Sequence, residues 1–368
     1  MANLYEETQI NGMVLANRFV RSATWEGMAG DDGRATPRLI DYMVALARGG
    51  VGLIISGHAY VHRDGQAGPR QLGVYSDDLV PGLAAMADAV HENNGKTVLQ
   101  LAHAGFFADA GLTGHPPLAV SNSEGIDKSS RKELTVQEIG HIVRAFAEGA
   151  KRAKKAGFDG VQIHSAHGYM LSQFLSPAFN RRADDYGGSI ENRARALMEV
   201  LRAVRSAVGP DYPVLVKING RDFIDNGLSL EDSVQVGGML AKGGIDAIEL
   251  SGGVLTGGKL MPSRMGIHSP EKEAYFLQEA KAFREKIDVP LILVGGNRSY
   301  QVAESIVAEG TADYISMCRP LIREPGLINR WKSGNLAKAA CISDNQCFGP
   351  AIAGEGIYCV TEKMEKPS

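Results

Sequence analysis

Eight short runs of apolar and β-branched residues recur along the chain, and amphipathic stretches separate them. The runs cover residues 18–24, 51–57, 97–103, 160–164, 213–219, 247–253, 291–296 and 314–319. Strands that are apolar along their whole length are typical of a parallel sheet buried on both faces. Helical periodicity over 135–156, 190–208 and 230–242 completes the alternation. The pattern predicts an α/β fold, a (β/α)8 TIM barrel with a short C-terminal extension.

The alternative fold is an open doubly wound sheet. It is disfavoured because none of the eight runs leads into the G-x-G-x-x-G turn of a dinucleotide-binding fold. A chain of 368 residues also suits one barrel. The barrel pattern stops near Asn335. We therefore expect a barrel over residues 1–335 and an extension with a degenerate cysteine motif over residues 336–368.

Composition narrows the class of partner. A net charge of −3 gives no electrostatic reason to expect nucleic acid or an anionic membrane as a partner. The first residues, "MANLYEETQINGMV", do not have the pattern of a signal peptide, and no apolar run reaches the roughly 18 residues of a membrane span. Four cysteines in so long a chain predict a cytoplasmic protein without a disulfide framework. We expect a small-molecule substrate and leave the oligomeric state open, a homo-oligomer included.

In a TIM barrel the carboxyl ends of the strands carry the chemistry. Residues at or just past the predicted strand ends are Thr24, Trp25, Gly57, His58, Gln100, His103, His164, His167, Tyr169, Lys217, Arg221, Gly295, Gly296 and Arg319. Two connections at this end, 103–134 and 165–188, are long. Their length predicts lids or binding loops.

The loops after the seventh and eighth runs are candidates for a phosphate site. They contain Gly295-Gly296-Asn297 and Cys318-Arg319-Pro320. Glycines let the backbone approach a ligand closely, and an arginine supplies a bidentate charge partner. Two ordinary barrel turns are the alternative. The segment "GVLTGGK" at 253–259 resembles a P-loop, but Leu260 follows where the magnesium-binding Ser or Thr is required, so we dismiss it.

Lys217 ends the fifth run and has two functional interpretations. In a desolvated barrel interior it could form a Schiff base, as in aldolases. Alternatively, it stays charged and faces an anionic part of a cofactor. A lysine that serves neutral packing alone is the less favoured third interpretation.

The segment "HSAHGYM", residues 164–170, holds two histidines and a tyrosine in close sequence. A metal site would need a third ligand, and Glu249 is the one carboxylate among the neighbouring runs. A general acid–base pair has no nucleophile beside it. Two imidazole N–H groups that stabilise charge on a substrate oxygen, with Tyr169 as proton donor, suit the residue types better. A hydrogen-bonded structural cluster remains the alternative.

The segment 163–195, "IHSAHGYMLSQFLSPAFNRRADDYGGSIENRAR", resembles the signature of the old yellow enzyme family of FMN-dependent oxidoreductases. The resemblance spans most of the chain. Further family segments occur in the same order: "NRFVRSATWEG", "VGLIISG", "VLQLAHAG", "VLVKIN" and "ISMCRPLIREP". The chain looks closest to the branch with bacterial ene-reductases and the barrels of 2,4-dienoyl-CoA reductase and trimethylamine dehydrogenase.

The resemblance implies that FMN lies across the top of the barrel and receives hydride from NADH or NADPH. His164 and His167 would bind the carbonyl oxygen of an activated alkene, and Tyr169 would protonate the α-carbon of that alkene. Lys217 would face the flavin N1 and O2 atoms, and Gln100 the pyrimidine side. The remaining implied FMN contacts are Ser22, Ala23, Thr24, Trp25, Gly57, Gly295, Gly296, Cys318 and Arg319. An NAD(P)H oxidase or flavin reductase, a Schiff-base aldolase built on Lys217 and a non-catalytic FMN-binding module remain alternatives.

Two departures from the family pattern matter. Trp25 stands where relatives often carry a small Thr or Cys that tunes the flavin. The tail "CISDNQCFGPAIAGEGIYC" resembles the four-cysteine iron–sulfur segment of the dienoyl-CoA reductase branch. Asp344 replaces one ligand and leaves Cys341, Cys347 and Cys359. We expect no iron–sulfur cluster and no metal at the site residues, and leave open whether the three tail cysteines bind a metal. We also expect no second, dinucleotide-binding domain such as those larger relatives carry.

Overall fold

A computed structural model describes residues 3–121 and 130–365. Eight parallel strands form a closed barrel, because each strand pairs with the next and the last pairs with the first. The strands are β1 (Phe19–Arg21), β2 (Leu53–Ile55), β3 (Thr97–Ala102), β4 (Gly160–Ser165), β5 (Val214–Asn219), β6 (Ala247–Ser251), β7 (Leu291–Leu293) and β8 (Tyr314–Met317). All eight lie within or overlap the predicted runs. The predicted (β/α)8 barrel is therefore confirmed.

A helix follows each strand and packs around the barrel. The helices are α1 (Pro37–Arg48), α2 (Val80–Glu92), α3 (Val136–Lys155), α4 (Ile190–Val208), α5 (Leu230–Lys242), α6 (Leu277–Arg284), α7 (Tyr300–Ala308) and α8 (Leu327–Lys332). Helix α3 begins with a capping box, in which Thr135 and Glu138 bond to each other's backbone N–H groups. The three helical segments expected from the sequence are confirmed.

A hairpin that precedes the barrel closes its amino-terminal end. Its strands, Thr8–Ile10 and Met13–Leu15, pair antiparallel. Ile10 and Leu15 are fully buried in one cluster with barrel residues such as Val20. The sequence analysis did not predict this hairpin. Because its apolar side chains fill the amino-terminal end, the opposite end of the barrel carries the open space.

The loops at the carboxyl end contain short elements of their own. Strand Ala59–Tyr60 pairs with the end of β3, and Leu118–Ala119 pairs with Lys132–Glu133. Short helices cover Ala110–Thr113, Met170–Leu175 and Arg319–Arg323, and 3-10 turns cover Arg63–Gly65, Asp77–Leu79, Gly105–Phe107, Gly258–Leu260 and Pro270–Lys272. The middle of the predicted lid 103–134, residues 122–129, lies outside the described residues.

The C-terminal extension returns to the carboxyl end of the barrel. It contains the short helices Phe348–Ile352 and Val360–Glu365. The N–H of Ile357 donates to the carbonyl of Glu26 at 2.8 Å, and Arg70 donates to the carbonyl of Ala351 at 3.3 Å. The extension thus lies against the loops after β1 and β2. None of the helices in the described ranges is long and apolar enough to cross a membrane.

Candidate active site

A cavity of about 600 Å³ opens at the carboxyl end of the barrel. This volume lies in the usual range for small-molecule sites, roughly 300–1,000 Å³. Residues from seven of the eight strand ends and from the C-terminal extension line it. The predicted site residues among them are Ser22, Ala23, Thr24, Trp25, His164, His167, Tyr169, Lys217, Gly296, Cys318 and Arg319.

Three predicted cofactor residues, Gly57, Gln100 and Gly295, are not among the residues that line the cavity. The Gly57 N–H donates to Oε1 of Glu26 at 3.0 Å. The Gln100 amide donates to Oε1 of Gln162 at 2.7 Å inside the barrel. The Gly295 carbonyl accepts from the N–H of Tyr275 at 2.9 Å. Their predicted contacts with FMN stay predictions.

A buried polar network lies at the floor of the cavity, centred on the carboxylate of Glu249. Ser22 and Ser316 donate to its Oε1 at 2.7 and 2.8 Å, and Gln162 donates to its Oε2 at 2.8 Å. The Nζ of Lys217 lies 3.3 Å from the same Oε1 and donates to Ser22 Oγ at 2.7 Å. Lys217 therefore sits in an ion pair within the barrel.

The electrostatics of Glu249 follow from this network. Burial alone would raise the pKa of its carboxyl, but the Lys217 charge and three side-chain hydrogen bonds lower it below the ordinary value. Glu249 is thus an anion that faces the Lys217 ammonium. From the sequence, Glu249 was considered only as a metal ligand. A single acidic residue inside the apolar run "AIELS" was the signal for this role.

His164, His167 and Tyr169 form one aromatic cluster on the cavity wall. The centroid of the His164 ring lies 5.3 Å from that of His167 and 5.0 Å from that of Tyr169. The buried Nδ1 of His164 has no hydrogen-bonding partner among the described residues. His167 Nε2 lies 2.8 Å from the hydroxyl oxygen of Ser251. His164 consequently has a buried polar atom available for a ligand.

The backbone at His167 has an uncommon conformation. Its φ is 64°, in the left-handed region, and the next residue, Gly168, has a φ of 84°. The side-chain oxygen of Asn219 accepts from the N–H of His167 at 3.1 Å, and the His167 carbonyl accepts from Leu255 at 3.3 Å. Two neighbouring strand ends therefore hold this turn in place. Conformations of this kind cluster at functional sites.

The cluster is electrically neutral at neutral pH. Burial, together with the nearby Lys217 charge and the other histidines, lowers the pKa of His164 and of His167 well below the ordinary value. Burial also raises the pKa of the Tyr169 phenol above its usual range. Each imidazole can therefore donate one hydrogen bond without carrying a charge, and the phenol keeps its proton.

Arg319 and the extension meet at the other end of the cavity. Arg319 Nη1 donates to Oδ1 of Asn345 at 2.8 Å, and Asn345 Nδ2 donates to the carbonyl of Ser263 at 2.7 Å. The Sγ of Cys318 and the Oγ1 of Thr24 lie 2.6 Å apart. Asn345 was missed by the sequence analysis, because the tail was considered only as a cysteine motif.

The metal interpretation receives no support from the geometry. Within residues 3–121 and 130–365, no group of three or more His, Cys, Asp or Glu side chains could hold a metal ion. The Asp344 carboxylate accepts from Thr361 Oγ1 at 2.8 Å, which is a structural contact inside the extension. The absence of an iron–sulfur cluster stays a prediction.

Fold and cavity define a TIM-barrel protein whose binding site lies at the carboxyl ends of its strands. Comparison with known proteins identifies its family. The family model of the NADH:flavin oxidoreductase / NADH oxidase family matches residues 3–338. The chain belongs to this family, which includes the old yellow enzymes, and the predicted resemblance is confirmed. Family membership implies FMN as cofactor and NADH or NADPH as reductant.

Individual relatives agree with this assignment. The chain is 37% identical over 377 residues to an NADH oxidase of Thermoanaerobacter brockii, covering 97% of this chain and 57% of the relative. It is 34% identical to an NADPH dehydrogenase of Halalkalibacterium halodurans, covering 88% and 91%. An old yellow enzyme homologue from Zymomonas mobilis superposes with a TM-score of 0.80 at 25% identity, and each chain is covered completely. The chain spans about half the length of the first curated relatives that it matches.

Proposed function

We propose that the cavity binds one FMN and that the chain is an NAD(P)H-dependent reductase of C=C bonds activated by a carbonyl group. The observation that carries the proposal is the pairing of the unpartnered, buried Nδ1 of neutral His164 with the protonated phenol of Tyr169 in one cavity. A hydrogen-bond donor and an acid on the same wall suit an electrophilic alkene whose carbonyl oxygen becomes negative.

The residues that line the cavity fit FMN. Lys217 on the floor supplies a positive charge for an anionic isoalloxazine edge, and Arg319 at one end supplies a charged donor for a phosphate. Ser22, Ala23, Thr24, Trp25, Gly296 and Cys318 would contact the remaining surface of the cofactor, with Gly57, Gln100 and Gly295 behind them. Trp25 lines the cavity, and its buried Nε1 lacks a partner among the described residues.

FMN held by these residues would supply the chemistry of hydride transfer between NADH or NADPH and the alkene. His164 and His167 would hold the carbonyl oxygen, and their fixed donors would stabilise the negative charge that develops on it. Tyr169 would give its proton to the α-carbon. Because His164 and Tyr169 are buried, these hydrogen bonds would act in a region of low dielectric constant.

The absorption spectrum of the purified protein is the first test, and a yellow flavin band is expected. Rapid kinetics of the two half-reactions then test the activity. We expect NADH or NADPH to reduce the flavin, and enones, nitroalkenes or dienoyl thioesters to reoxidise it. Tyr169→Phe should slow alkene reduction by about 10²–10⁴-fold while oxidation of the nicotinamide continues. Equal rates in Tyr169→Phe and the parent would assign the proton to water or another residue.

An NAD(P)H oxidase or flavin reductase is the second candidate, and the name of the Thermoanaerobacter relative favours it. This second function predicts that oxygen reoxidises the reduced flavin rapidly and that the alkenes do not reoxidise it. A Schiff-base aldolase is disfavoured because Lys217 is paired with Glu249 instead of standing alone in apolar surroundings. Borohydride trapping of a substrate on Lys217 would support the aldolase function instead.

A further inference from the structure

His58 lies in the loop after β2 beside Tyr169, the proposed proton donor, and has no part in the function proposed for the cavity. Its ring packs edge-on against the Tyr169 ring, with centroids 5.3 Å apart and an interplanar angle of 78°. The His58 Nε2 and the Tyr169 hydroxyl oxygen lie 3.5 Å apart. This is the long end of the hydrogen-bonding range, and catalytic hydrogen bonds often shorten only in the substrate complex.

The hydrogen bonds of Gln71 decide which nitrogen of His58 carries the proton. Gln71 Oε1 accepts from the backbone N–H of Ala67 at 2.7 Å. The amide cannot be flipped, because its NH2 group would then face the Ala67 N–H and two donors would meet. Gln71 Nε2 then donates to the carbonyl of His58 at 3.1 Å and to its Nδ1 at 2.7 Å. Nδ1 must accept this bond, and the proton of the neutral ring is on Nε2.

The imidazole of His58 is neutral over the physiological range. Burial, together with a smaller effect of the Lys217 charge, lowers the pKa of His58 to about 4. A neutral ring with a fixed Nε2–H can only donate toward Tyr169. The phenol therefore cannot give its proton to His58, and that proton is free to point into the cavity.

We propose that His58 is a positioning residue, whose Nε2–H donates to Tyr169 Oη and thereby directs the phenolic proton toward the substrate. This inference rests on the proposed alkene reduction. In that step hydride from the reduced cofactor would form the β C–H bond with its own electron pair, and the C=C π bond would break. Its electron pair would form the α C–H bond with the Tyr169 proton, as the Tyr169 O–H bond breaks. The electron pair of the O–H bond stays on the phenolate, which the His58 donor stabilises until solvent restores the proton.

The tautomer is tested without any turnover. In protein labelled with ¹⁵N at histidine side chains, NMR should show His58 protonated at Nε2 and unprotonated at Nδ1, and Tyr169→Phe should shift the Nε2–H signal. Gln71→Met removes the amide donor and should allow a population with the proton on Nδ1. A His58 protonated at Nδ1 in the parent protein, or an Nε2–H signal unchanged in Tyr169→Phe, would overturn the inference.

The kinetic consequence is tested with a double-mutant cycle. His58→Phe keeps a ring but removes the donor, and should slow the alkene half-reaction about ten- to a hundredfold and increase its solvent isotope effect. In the Tyr169→Phe background the same change should have little further effect, because His58 acts through Tyr169. His58→Gln, which restores an N–H, should recover part of the rate. Additive losses would refute the role of His58, whereas a parent protein that reduces no alkene would refute the proposed function.

Discussion

Arg319 Nη1 donates to Asn345 Oδ1 at 2.8 Å, so the C-terminal extension orients a barrel residue at the end of the cavity where we place the FMN phosphate. Asn345 is itself fixed by Ser263, whose carbonyl accepts from its amide at 2.7 Å. The extension therefore takes part in the candidate cofactor site.

Removal of Arg319 should weaken FMN binding. Arg319→Ala deletes a charge-assisted contact worth about 1.5–3 kcal/mol, which corresponds to roughly ten- to a hundredfold in affinity. Asn345→Ala should give a smaller loss, because the guanidinium remains but is less well oriented. Fluorescence titration of the apoprotein with FMN measures both. Exposed Arg34→Ala is the control, and unchanged affinity in Arg319→Ala would place the phosphate elsewhere.

Removal of the Glu249 charge should raise the reduction potential of the flavin. In the parent protein the Glu249 carboxylate lies 3.3 Å from the Lys217 ammonium. Glu249→Gln removes this negative charge, so the Lys217 charge stabilises negative charge on a reduced flavin more strongly. A change of roughly 1.4–3 kcal/mol corresponds to roughly 30–60 mV for a two-electron couple. Spectroelectrochemistry measures it. Ser316→Ala keeps the carboxylate and should shift the potential much less, and equal shifts would contradict the charge argument.

Loss of either imidazole donor should affect mainly the alkene half-reaction. His164→Phe and His167→Gly, which remove the ring N–H donors, should each cost roughly 2.7–4 kcal/mol there, by analogy with other oxyanion-binding donors. Glycine is the suitable substitution at position 167 because it has no side-chain donor and tolerates the φ of 64°. Flavin reduction by NAD(P)H should suffer less, and phenols should bind more weakly. Equal losses in both half-reactions would make the cluster structural.

The extension should contain no iron–sulfur cluster. Asp344 replaces one of four expected ligands and is engaged with Thr361 Oγ1 at 2.8 Å. Analysis of anaerobically purified protein for iron and acid-labile sulfide measures this directly. Stoichiometric amounts of both would show that Cys341, Cys347 and Cys359 bind a cluster with a different fourth ligand.

Buried His103 should make stability depend on pH. Burial lowers its pKa from 6.5 to about 3. Between these values the unfolded chain binds a proton that the folded chain does not. The free energy of unfolding should therefore fall as pH falls below 6.5, by about 1.4 kcal/mol per pH unit from this group. In His103→Gln, unfolding should take up one proton fewer in this pH range, so the free energy of unfolding should change less with pH.

Urea unfolding at about pH 5 and about pH 7 measures the difference between the parent and His103→Gln. The expected difference in pH dependence is about 2 kcal/mol over this interval. His141→Gln, at an exposed position of helix α3, is the matched control. Identical pH dependence in the parent and His103→Gln would mean that His103 accepts its proton in the folded state.

The barrel was predictable because apolar runs mark its strands. The residues that line the cavity were predictable because they lie at or just after the ends of those runs. "HSAHGYM" begins at the end of β4, and all three of its polar rings line one cavity. Contacts made by residues far apart in sequence were not predictable. The pairing of Asn345 with Arg319 and that of Gln71 with His58 depend on loop geometry, which no periodicity encodes. The N-terminal hairpin was missed because its strands have three residues each, too few to show alternation.

The barrel is closed by β8 pairing with β1, where Ser22 N donates to the carbonyl of Met317 at 2.9 Å. These two strands come from opposite ends of the chain, so closure must await synthesis of nearly all of it, and such non-local pairing is slow. Until then both strands present unpaired edges, which are sites of aggregation.

Ser22 and Cys318 lie on either side of this seam and line the cavity. A ligand that spans the seam favours the closed barrel by mass action. The yield of soluble recombinant protein should consequently rise with the riboflavin supply of the host.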